Sequence, residues 1–160
     1  RGCNRMKVST KGQYAVRAML DLTAQSHNYP VPLSNISIRQ EISLHYLEQL
    51  FVRLRRARLV NSIRGPGGGY VLAKKPSEIT IGDILRAVNE DISISECADL
   101  SNRKKSLCDK VGDCAASIIW QKLAKHIVNM LDSITLDTLS KEDKKKVKEK
   151  TLKHSFAFSI

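Results

Sequence analysis

A glycine-rich turn between two short β-prone segments is the feature that most constrains how this sequence can fold. The turn has the sequence Arg-Gly-Pro-Gly-Gly-Gly over residues 64–69, and its glycines permit the positive φ angles of a tight hairpin. β-prone residues flank it at 59–63 and 70–72. The turn lacks the Lys-Ser/Thr ending of a phosphate-binding P-loop and joins two strands, so we expect a β-ribbon and not a nucleotide site.

Two helical patterns precede the hairpin and are separated by a tight turn. A short helix is predicted over about residues 34–40, after the Tyr-Pro-Val-Pro run of residues 29–32. Ser43 is placed to cap a longer helix, because serine accepts hydrogen bonds from the free N–H groups of a helix start. The apolar residues of that helix recur at helical spacing: Leu44, Leu47, Leu50, Phe51 and Leu54. The pattern predicts a winged helix-turn-helix.

Capping signatures mark two further helices of this head. Thr10 followed by Gln13 resembles a capping box at the start of an amphipathic pattern over residues 10–24. Thr80 with Asp83 forms the same signature before a helix through about residue 89. We expect the apolar residues of that helix to pack on the head: Ile81, Ile84, Leu85 and Val88.

A long amphipathic pattern over residues 116–133 has too little sequence after it to cover its apolar stripe. A second copy of the chain is the natural cover, so we expect a homodimer. The predicted fold class is therefore mainly α with a small β-hairpin: a winged helix-turn-helix head plus a long C-terminal dimerisation helix.

The charge of the chain favours a polyanionic partner. The net charge is +11 and the sequence pI is near 9.7. Seven lysines against three acids give residues 141–153 a charge of +4, and the rest of the chain still carries +7. Double-stranded DNA is the first partner to consider and an anionic membrane surface the second. Neither a run of roughly 20 apolar residues nor a secretory signal is present, so we expect a cytoplasmic location and no membrane span.

The second helix of a helix-turn-helix enters the major groove with its N-terminal residues toward the base edges. Its candidate DNA contacts here are Ser43, His45, Tyr46, Glu48, Gln49 and Arg53, joined by Arg64 and Gly65 of the wing. Glu48 is a specificity candidate, because a carboxylate among phosphates is costly unless it accepts from cytosine or excludes wrong sites. The alternative interpretation is that this charged face is merely solvated.

Catalysis is not expected from this sequence. No Cys/His pair stands at a recognisable spacing, and no Ser/His/Asp set has supporting context. Asp21, Glu41 and Glu48 are interpreted as residues of helix surfaces.

Three cysteines, Cys97, Cys108 and Cys114, stand in a polar stretch between two helical patterns. Thiolates are soft ligands that select zinc, copper or iron-sulfur clusters. Structural zinc prefers four ligands in short paired spacings, which are absent here, and cysteines without any ligand are a further possibility. Cys3 lies in a five-residue leader or expression remnant and is given no role.

Three segments together resemble the IscR-type iron-sulfur cluster regulators: Met6–Leu20, Ile42–Leu50 and Ser62–Tyr70. The resemblance extends from Met6 to about Leu136. It implies a winged-helix homodimer that represses or activates promoters, often those of iron-sulfur biogenesis genes. Two heads on a two-fold axis should bind a pseudo-palindromic operator.

The resemblance also implies that Cys97, Cys108 and Cys114 ligate an iron-sulfur cluster, with [2Fe-2S] favoured over [4Fe-4S]. Ten residues separate the first two cysteines and five the last two, and the first spacing is longer than is usual in the family. The family often has a histidine where this chain has Ser117, which makes Ser117 a candidate fourth ligand. Nitric-oxide-sensing relatives use an aspartate at the position of Gln13, and an amide is a poor ligand. Glu96, Asp113, a partner-chain group, water or a small thiol could also complete the coordination shell.

The resulting domain boundaries are a leader (1–5), the DNA-binding head (6–90), a cysteine-containing loop (91–115), a dimerisation helix with its following turn (116–139) and a basic tail (140–160). The alternative function is a cluster-free or zinc-binding repressor of the same fold that senses sulfur metabolism or redox state. An iron-sulfur electron carrier is a third hypothesis. Salt-sensitive, sequence-specific duplex binding distinguishes a regulator from a carrier.

Overall fold

The computed structural model describes residues 8–25, 29–90 and 114–145, and all structural statements concern these residues. The elements in chain order are α1 (Thr10–Gln25), α2 (Leu33–Gln40), α3 (Leu44–Arg56), β1 (Val60–Ile63), β2 (Gly69–Leu72), a 3-10 turn (Pro76–Glu78), α4 (Ile81–Ala87), α5 (Ala115–Ser133) and α6 (136–145). This order confirms the predicted fold class, which is mainly α with one antiparallel hairpin.

Two of the three predicted helix caps are confirmed. The Ser43 side chain accepts from the Tyr46 N–H at 3.3 Å, and Thr80 and Asp83 form a reciprocal capping box. The predicted Thr10 cap is wrong, because Thr10 is already inside α1 and the carbonyl of Ser9 accepts the first helical bond, from the Gln13 N–H at 3.0 Å. Ser9 Oγ also accepts from the Gly12 N–H at 3.4 Å, so the cap lies at Ser9, one residue before the predicted position.

The hairpin pairs β1 with β2 in the register Val60 to Leu72 and Ile63 to Gly69. Its turn is closed by a hydrogen bond from the Gly68 N–H to the Gly65 carbonyl at 2.9 Å. Pro66 follows Gly65, and Gly67 has φ 74°, which is the arrangement of a type II turn. The glycines therefore make the tight connection that the sequence predicted.

One apolar core is formed by residues of the helices α1, α2, α3 and α4, of strand β1 and of the start of α6. Its largest fully buried side chains include Phe51, Met19, Leu22, Ile36, Leu47, Leu54, Ile79, Ile84 and Leu136. Ile81, Ile84, Leu85 and Val88 of the α4 region are buried in it, as predicted. The prediction that Asp21 is a surface residue is wrong: Asp21 is 7 % exposed, because Arg39 and Gln40 of α2 cover and pair with its carboxylate.

The end of α5 is fixed to the head through α4. The Ile81 N–H donates to the Ile134 carbonyl at 2.9 Å, and Arg86 pairs with both Asp83 (2.9 Å) and Asp132 (2.8 Å). Hydrogen bonds to Asp132 and Asp83 raise the pKa of Arg86. Burial opposes ionisation of Asp83, but hydrogen bonds from Arg86 and Thr80 outweigh it and hold the pKa of Asp83 below its usual value.

The helix α6 runs through residue 140, where the sequence placed the start of a basic tail. Among the helices of the described ranges, none is both long and apolar enough to cross a membrane.

Candidate nucleic-acid interface

Helix α3 places most of its apolar residues on one buried face, while Leu44 in its first turn is 41 % exposed. Leu47, Leu50, Phe51 and Leu54 are buried on one face. At about 100° per residue, the opposite face carries His45, Glu48, Gln49 and Arg56, with the half-buried Val52 among them. We call these four residues the polar face of α3. They are exposed, so the second helix of the helix-turn-helix offers its charged and amide side chains to a ligand outside the head.

Three side chains of the polar face contact one another. Gln49 Nε2 lies 3.0 Å from His45 Nε2, and His45 Nδ1 lies 4.0 Å from Glu48 Oε2. An amide nitrogen can only donate, so His45 Nε2 is the acceptor in the contact with Gln49, while Nδ1 faces Glu48. The Glu48 carboxylate is still 57 % exposed and keeps acceptor capacity for a base amino group.

Ser43 and Tyr46 lie at the start of α3, where the fold already uses them. The Ser43 oxygen accepts from the Tyr46 N–H, while its own hydroxyl proton is left to donate. Tyr46 is half-buried, and its ring meets that of Tyr14 edge-on with centroids 5.9 Å apart. These residues border the polar face and also hold the first turn of α3 against α1.

Arg53 and Arg56 differ from what the sequence led us to expect. Arg53 stands on the flank of α3, where its Nη1 donates to the Val88 carbonyl at 3.2 Å. This bond links α3 to the residue that follows α4, and Arg53 stays a predicted DNA contact beside the polar face. Arg56 was missed, although it follows His45 and Gln49 by eleven and seven residues, spacings that bring it onto the same helical face.

The wing is fastened to α3 and to the segment before α2. The rings of Phe51 and Tyr70 meet edge-on at 4.8 Å, and Val31 and Tyr70 exchange two backbone hydrogen bonds of 2.9 Å. A Cβ added to Gly69 would lie 2.5 Å from the Val31 carbonyl, so only glycine allows this approach. The exposed Arg64 and Gly65, predicted DNA contacts, thus project from a wing with a fixed position relative to α3.

Of the three predicted cluster ligands, only Cys114 is among the residues that the structure describes. Cys114 is half-buried at the N-cap of α5, and the Ser117 hydroxyl donates to its carbonyl at 2.7 Å. Cys97 and Cys108, like Glu96 and Asp113, lie outside the described residues. Gln13 Nε2 donates to the Val8 carbonyl at 2.8 Å. Within residues 8–25, 29–90 and 114–145 no three His, Cys, Asp or Glu side chains could together hold a metal ion.

A winged helix-turn-helix with an exposed basic and amide face is the arrangement of a DNA-binding protein, and sequence comparison agrees. The profile of the Rrf2 family, described as iron-dependent transcriptional regulators, matches residues 8–142. The chain belongs to the Rrf2 family. It is 46 % identical over 134 residues to the HTH-type transcriptional regulator IscR of Pectobacterium atrosepticum, covering 84 % of this chain and 79 % of the relative. The same-named regulator of Klebsiella pneumoniae is 45 % identical over an equal length.

Solved structures of two regulators share the fold. T. potens IscR superimposes with a TM-score of 0.69 and 40 % identity, covering 89 % of this chain and 91 % of that one. CymR, the global cysteine regulator of B. subtilis, superimposes with a TM-score of 0.70 and 36 % sequence identity. The superposition covers 86 % of this chain and 98 % of the CymR chain. The Rrf2 chain described here is accordingly a DNA-binding transcriptional regulator of the IscR type and not an enzyme.

Proposed function

We propose that this Rrf2 regulator is a homodimer that binds a specific DNA sequence and whose binding is tuned by an iron-sulfur cluster. The observation that carries the DNA-binding part is the polar face of α3 beside a fixed wing. Ser43, His45, Tyr46, Glu48, Gln49 and Arg53, with Arg64 and Gly65, are the predicted contacts, and we add Arg56 because it shares the face of His45 and Gln49.

The dimer is proposed from the exposed side of α5. Large apolar side chains are 41 to 60 % exposed there: Ile118, Ile119, Trp120, Leu123 and Met130. Covering this surface with the same surface of a second chain makes a two-fold dimer, which in turn requires a pseudo-palindromic operator with half-sites one helical turn, or a multiple, apart. In this proposal residues 6–90 form the DNA-binding head, 91–115 the cluster loop, 116–139 the dimerisation segment and 140–160 the basic end.

The cluster is proposed on Cys97, Cys108 and Cys114, with [2Fe-2S] favoured. The description of the family as iron-dependent supports it, and Cys114 lies half-buried at the N-cap of α5. The fourth ligand is open. Ser117 is a candidate, although its proton is engaged by the Cys114 carbonyl. When bound, the cluster would supply a redox-sensitive and labile link between the loop and α5. Ordering of that loop against α5 would then shift the population of dimer geometries that fit the operator.

A second candidate is a regulator without a cluster, or with zinc, that senses sulfur metabolism or redox state. The observation in its favour is the likeness to the cysteine regulator CymR, whose TM-score matches that of IscR. Both candidates predict DNA binding, and they differ in what the cysteines hold.

Anaerobic reconstitution separates the two candidates. We expect iron and sulfide in equal amounts, a visible absorption band, and different operator affinities for the apo and reconstituted proteins. Cys108→Ala should abolish the band and alter affinity or site choice. Zinc in place of iron, or an unchanged affinity of Cys108→Ala for every operator, would contradict the cluster switch.

Arg64→Ala tests the wing in either candidate. The variant should bind both operator and unrelated duplex more weakly, with or without the cluster, and the slope of log affinity against log salt should fall by about one. Lys125→Ala is the matched control, because it removes the same charge from exposed α5. Equal salt slopes for Arg64→Ala and the unmodified protein would remove Arg64 from the interface.

A further inference from the structure

The carboxylate of Asp21 is deeply buried, and it is surrounded by donors from α2. Arg39 Nε lies 3.1 and 3.0 Å from the two Asp21 oxygens, Arg39 Nη2 lies 2.5 Å from Oδ1, and Gln40 Nε2 donates to Oδ2 at 2.9 Å. The Asp21 side chain is 4 % exposed and that of Arg39 35 %. The hydrogen bond to Asp21 raises the pKa of Arg39, against the opposing effect of burial. A carboxylate so deeply buried requires these partners, because an unpaired buried charge is strongly unfavourable.

These donors are the last two residues of α2, so Asp21 holds the point where the turn toward α3 begins. Gln40 is fixed from a second side by Arg17, whose Nη2 donates to the Gln40 carbonyl at 2.5 Å and whose Nε donates to Gln40 Oε1 at 3.3 Å. The next residue, Glu41, has φ 54°, and this left-handed residue turns the chain into α3. The side chains of α1 therefore hold the start of the helix-turn-helix connection, together with the bonds that the turn makes to Ser37.

The same set of contacts reaches the first turn of α3. The Arg17 guanidinium lies 5.5 Å from the centre of the Tyr14 ring, and Tyr14 meets Tyr46 edge-on at 5.9 Å. Tyr46 is next to His45 and two residues before Glu48, both on the polar face. We call Asp21, Arg39, Gln40, Arg17, Tyr14 and Tyr46 the turn network. It is continuous from a buried carboxylate to the residues that border the DNA.

We propose that Asp21 is a positioning residue for operator recognition: through the turn network it fixes the direction in which the N-terminal turn of α3 presents the polar face. This inference rests on the proposed sequence-specific DNA binding. A buried ion pair adds little net stability compared with apolar packing, but it restricts which arrangement of helices satisfies its partners. Base contacts depend on direction, whereas phosphate contacts tolerate small rotations of the helix.

The test compares two duplexes on the full chain. An operator is first selected from random duplexes with the unmodified protein, and affinities for it and for an unrelated duplex of equal length are measured by fluorescence anisotropy at fixed salt. Asp21→Asn keeps the shape of the side chain and removes its charge. We expect it to lower operator affinity about tenfold, the size of one lost base contact, while binding to the unrelated duplex and the salt slope stay the same.

Two further variants keep the result decisive. Leu136→Ala removes a buried core side chain far along the chain from the helix-turn-helix, and it should destabilise the fold without changing the ratio of the two affinities. Arg17 is exposed, and Arg17→Lys keeps its charge but loses the two guanidinium hydrogen bonds that hold Gln40. This variant should lower the ratio of operator affinity to unrelated-duplex affinity about threefold, even if Asp21→Asn does not fold.

The outcomes separate this inference from the function on which it rests. If the unmodified protein selects no operator, the proposed function fails and Asp21 has nothing to position. Suppose instead that the unmodified protein selects an operator, but Asp21→Asn and Arg17→Lys leave the ratio of operator affinity to unrelated-duplex affinity unchanged. The positioning role is then wrong, whether or not both affinities fall together, while sequence-specific binding stands.

Discussion

Helices α3 and α5 are both amphipathic, but they differ in how far their apolar side chains are buried. On α3 Leu47, Leu50, Phe51 and Leu54 are buried by the rest of the head, and the polar face is exposed, with Leu44 the one large apolar side chain of α3 left largely exposed. On α5 the buried residues are the small Ser117 and Ala124, whereas Ile119, Leu123 and Met130 are exposed. The head thus buries most of the apolar surface of α3, whereas α5 keeps a large part of its own apolar surface exposed.

This difference predicts two kinds of stability. Interactions within the head should not depend on protein concentration, whereas those made by the exposed side of α5 should strengthen as the concentration rises, because association stabilises by mass action. Each of the following variants tests one side of that distinction.

The largest effect is expected for Phe51→Ala. Phe51 is fully buried and its ring packs edge-on against Tyr70, so the variant leaves a cavity and loosens the wing. We expect a loss of about 3 to 5 kcal/mol in the free energy of unfolding, measured by urea denaturation and equal at low and high protein concentration. Trp120→Ala on α5 is the comparison, since Trp120 is 41 % exposed. An equal loss for Trp120→Ala in dilute protein would contradict the distinction.

Ile119→Glu tests the apolar side of α5 directly. Ile119 is 56 % exposed and shares its helical face with Leu123 and Met130, so two buried carboxylates would face each other in a two-fold dimer. We expect dimer dissociation to become easier by about 2 kcal/mol or roughly 30-fold, as measured by analytical ultracentrifugation.

Gln121→Glu is the control for Ile119→Glu. It adds the same charge on the same helix, but Gln121 lies about 200° away from Ile119 around the helix axis. The dissociation constant of the Gln121→Glu dimer should equal that of the unmodified protein. A dimer that resists Ile119→Glu would mean that another surface joins the two chains.

A smaller effect on the free energy of unfolding is expected for the capping box of α4. Helix α4 is the element that links the head to the end of α5. Thr80 Oγ1 accepts from the Asp83 N–H at 3.1 Å, and Asp83 Oδ2 accepts from the Thr80 N–H at 3.2 Å. Thr80→Ala should lower the free energy of unfolding by about 1 kcal/mol at neutral pH. Thr80→Ser should lower it much less, because the serine hydroxyl can accept the same hydrogen bond.

The pH dependence of that loss has a definite sign. The pKa of Asp83 is lower in the folded chain than in the unfolded one, so its contribution is present above the unfolded pKa and is lost as pH falls through the folded pKa. Thr80 is one cause of the lowered value. The difference between Thr80→Ala and the unmodified protein should therefore shrink in acid, and a difference that grows would contradict this assignment.

Local patterns were sufficient for helices α1 to α5, the hairpin and the caps at Ser43 and Thr80, because each depends on residues a few positions apart. Helix α6 was not predicted. Features with distant partners were not predicted. Asp21 was interpreted as a surface residue because its partners follow it by 18 and 19 positions. The hydrogen bond from Arg53 to the Val88 carbonyl, 35 positions away, was likewise not predicted.

The candidate site shows the same limit. Arg56 could have been found by extending the spacing of His45 and Gln49 along α3, since helical periodicity is a local signal. By contrast, the orientation of the wing depends on the contact between Gly69 and Val31 and on the pairing of Tyr70 with Val31, which link segments nearly 40 residues apart.

The smallest effect is expected at Arg58, between α3 and β1. Arg58 has φ 58°, a left-handed conformation that is strained for residues other than glycine, and it is exposed. Arg58→Gly relieves that strain but adds freedom to the unfolded chain, so we expect a net gain of about 0.5 kcal/mol in the free energy of unfolding. Arg58→Ala removes the same charged side chain and keeps the strain, so it should give no gain. If both variants stabilise the head equally, charge repulsion within the arginine-rich end of α3, and not backbone strain, is the cause.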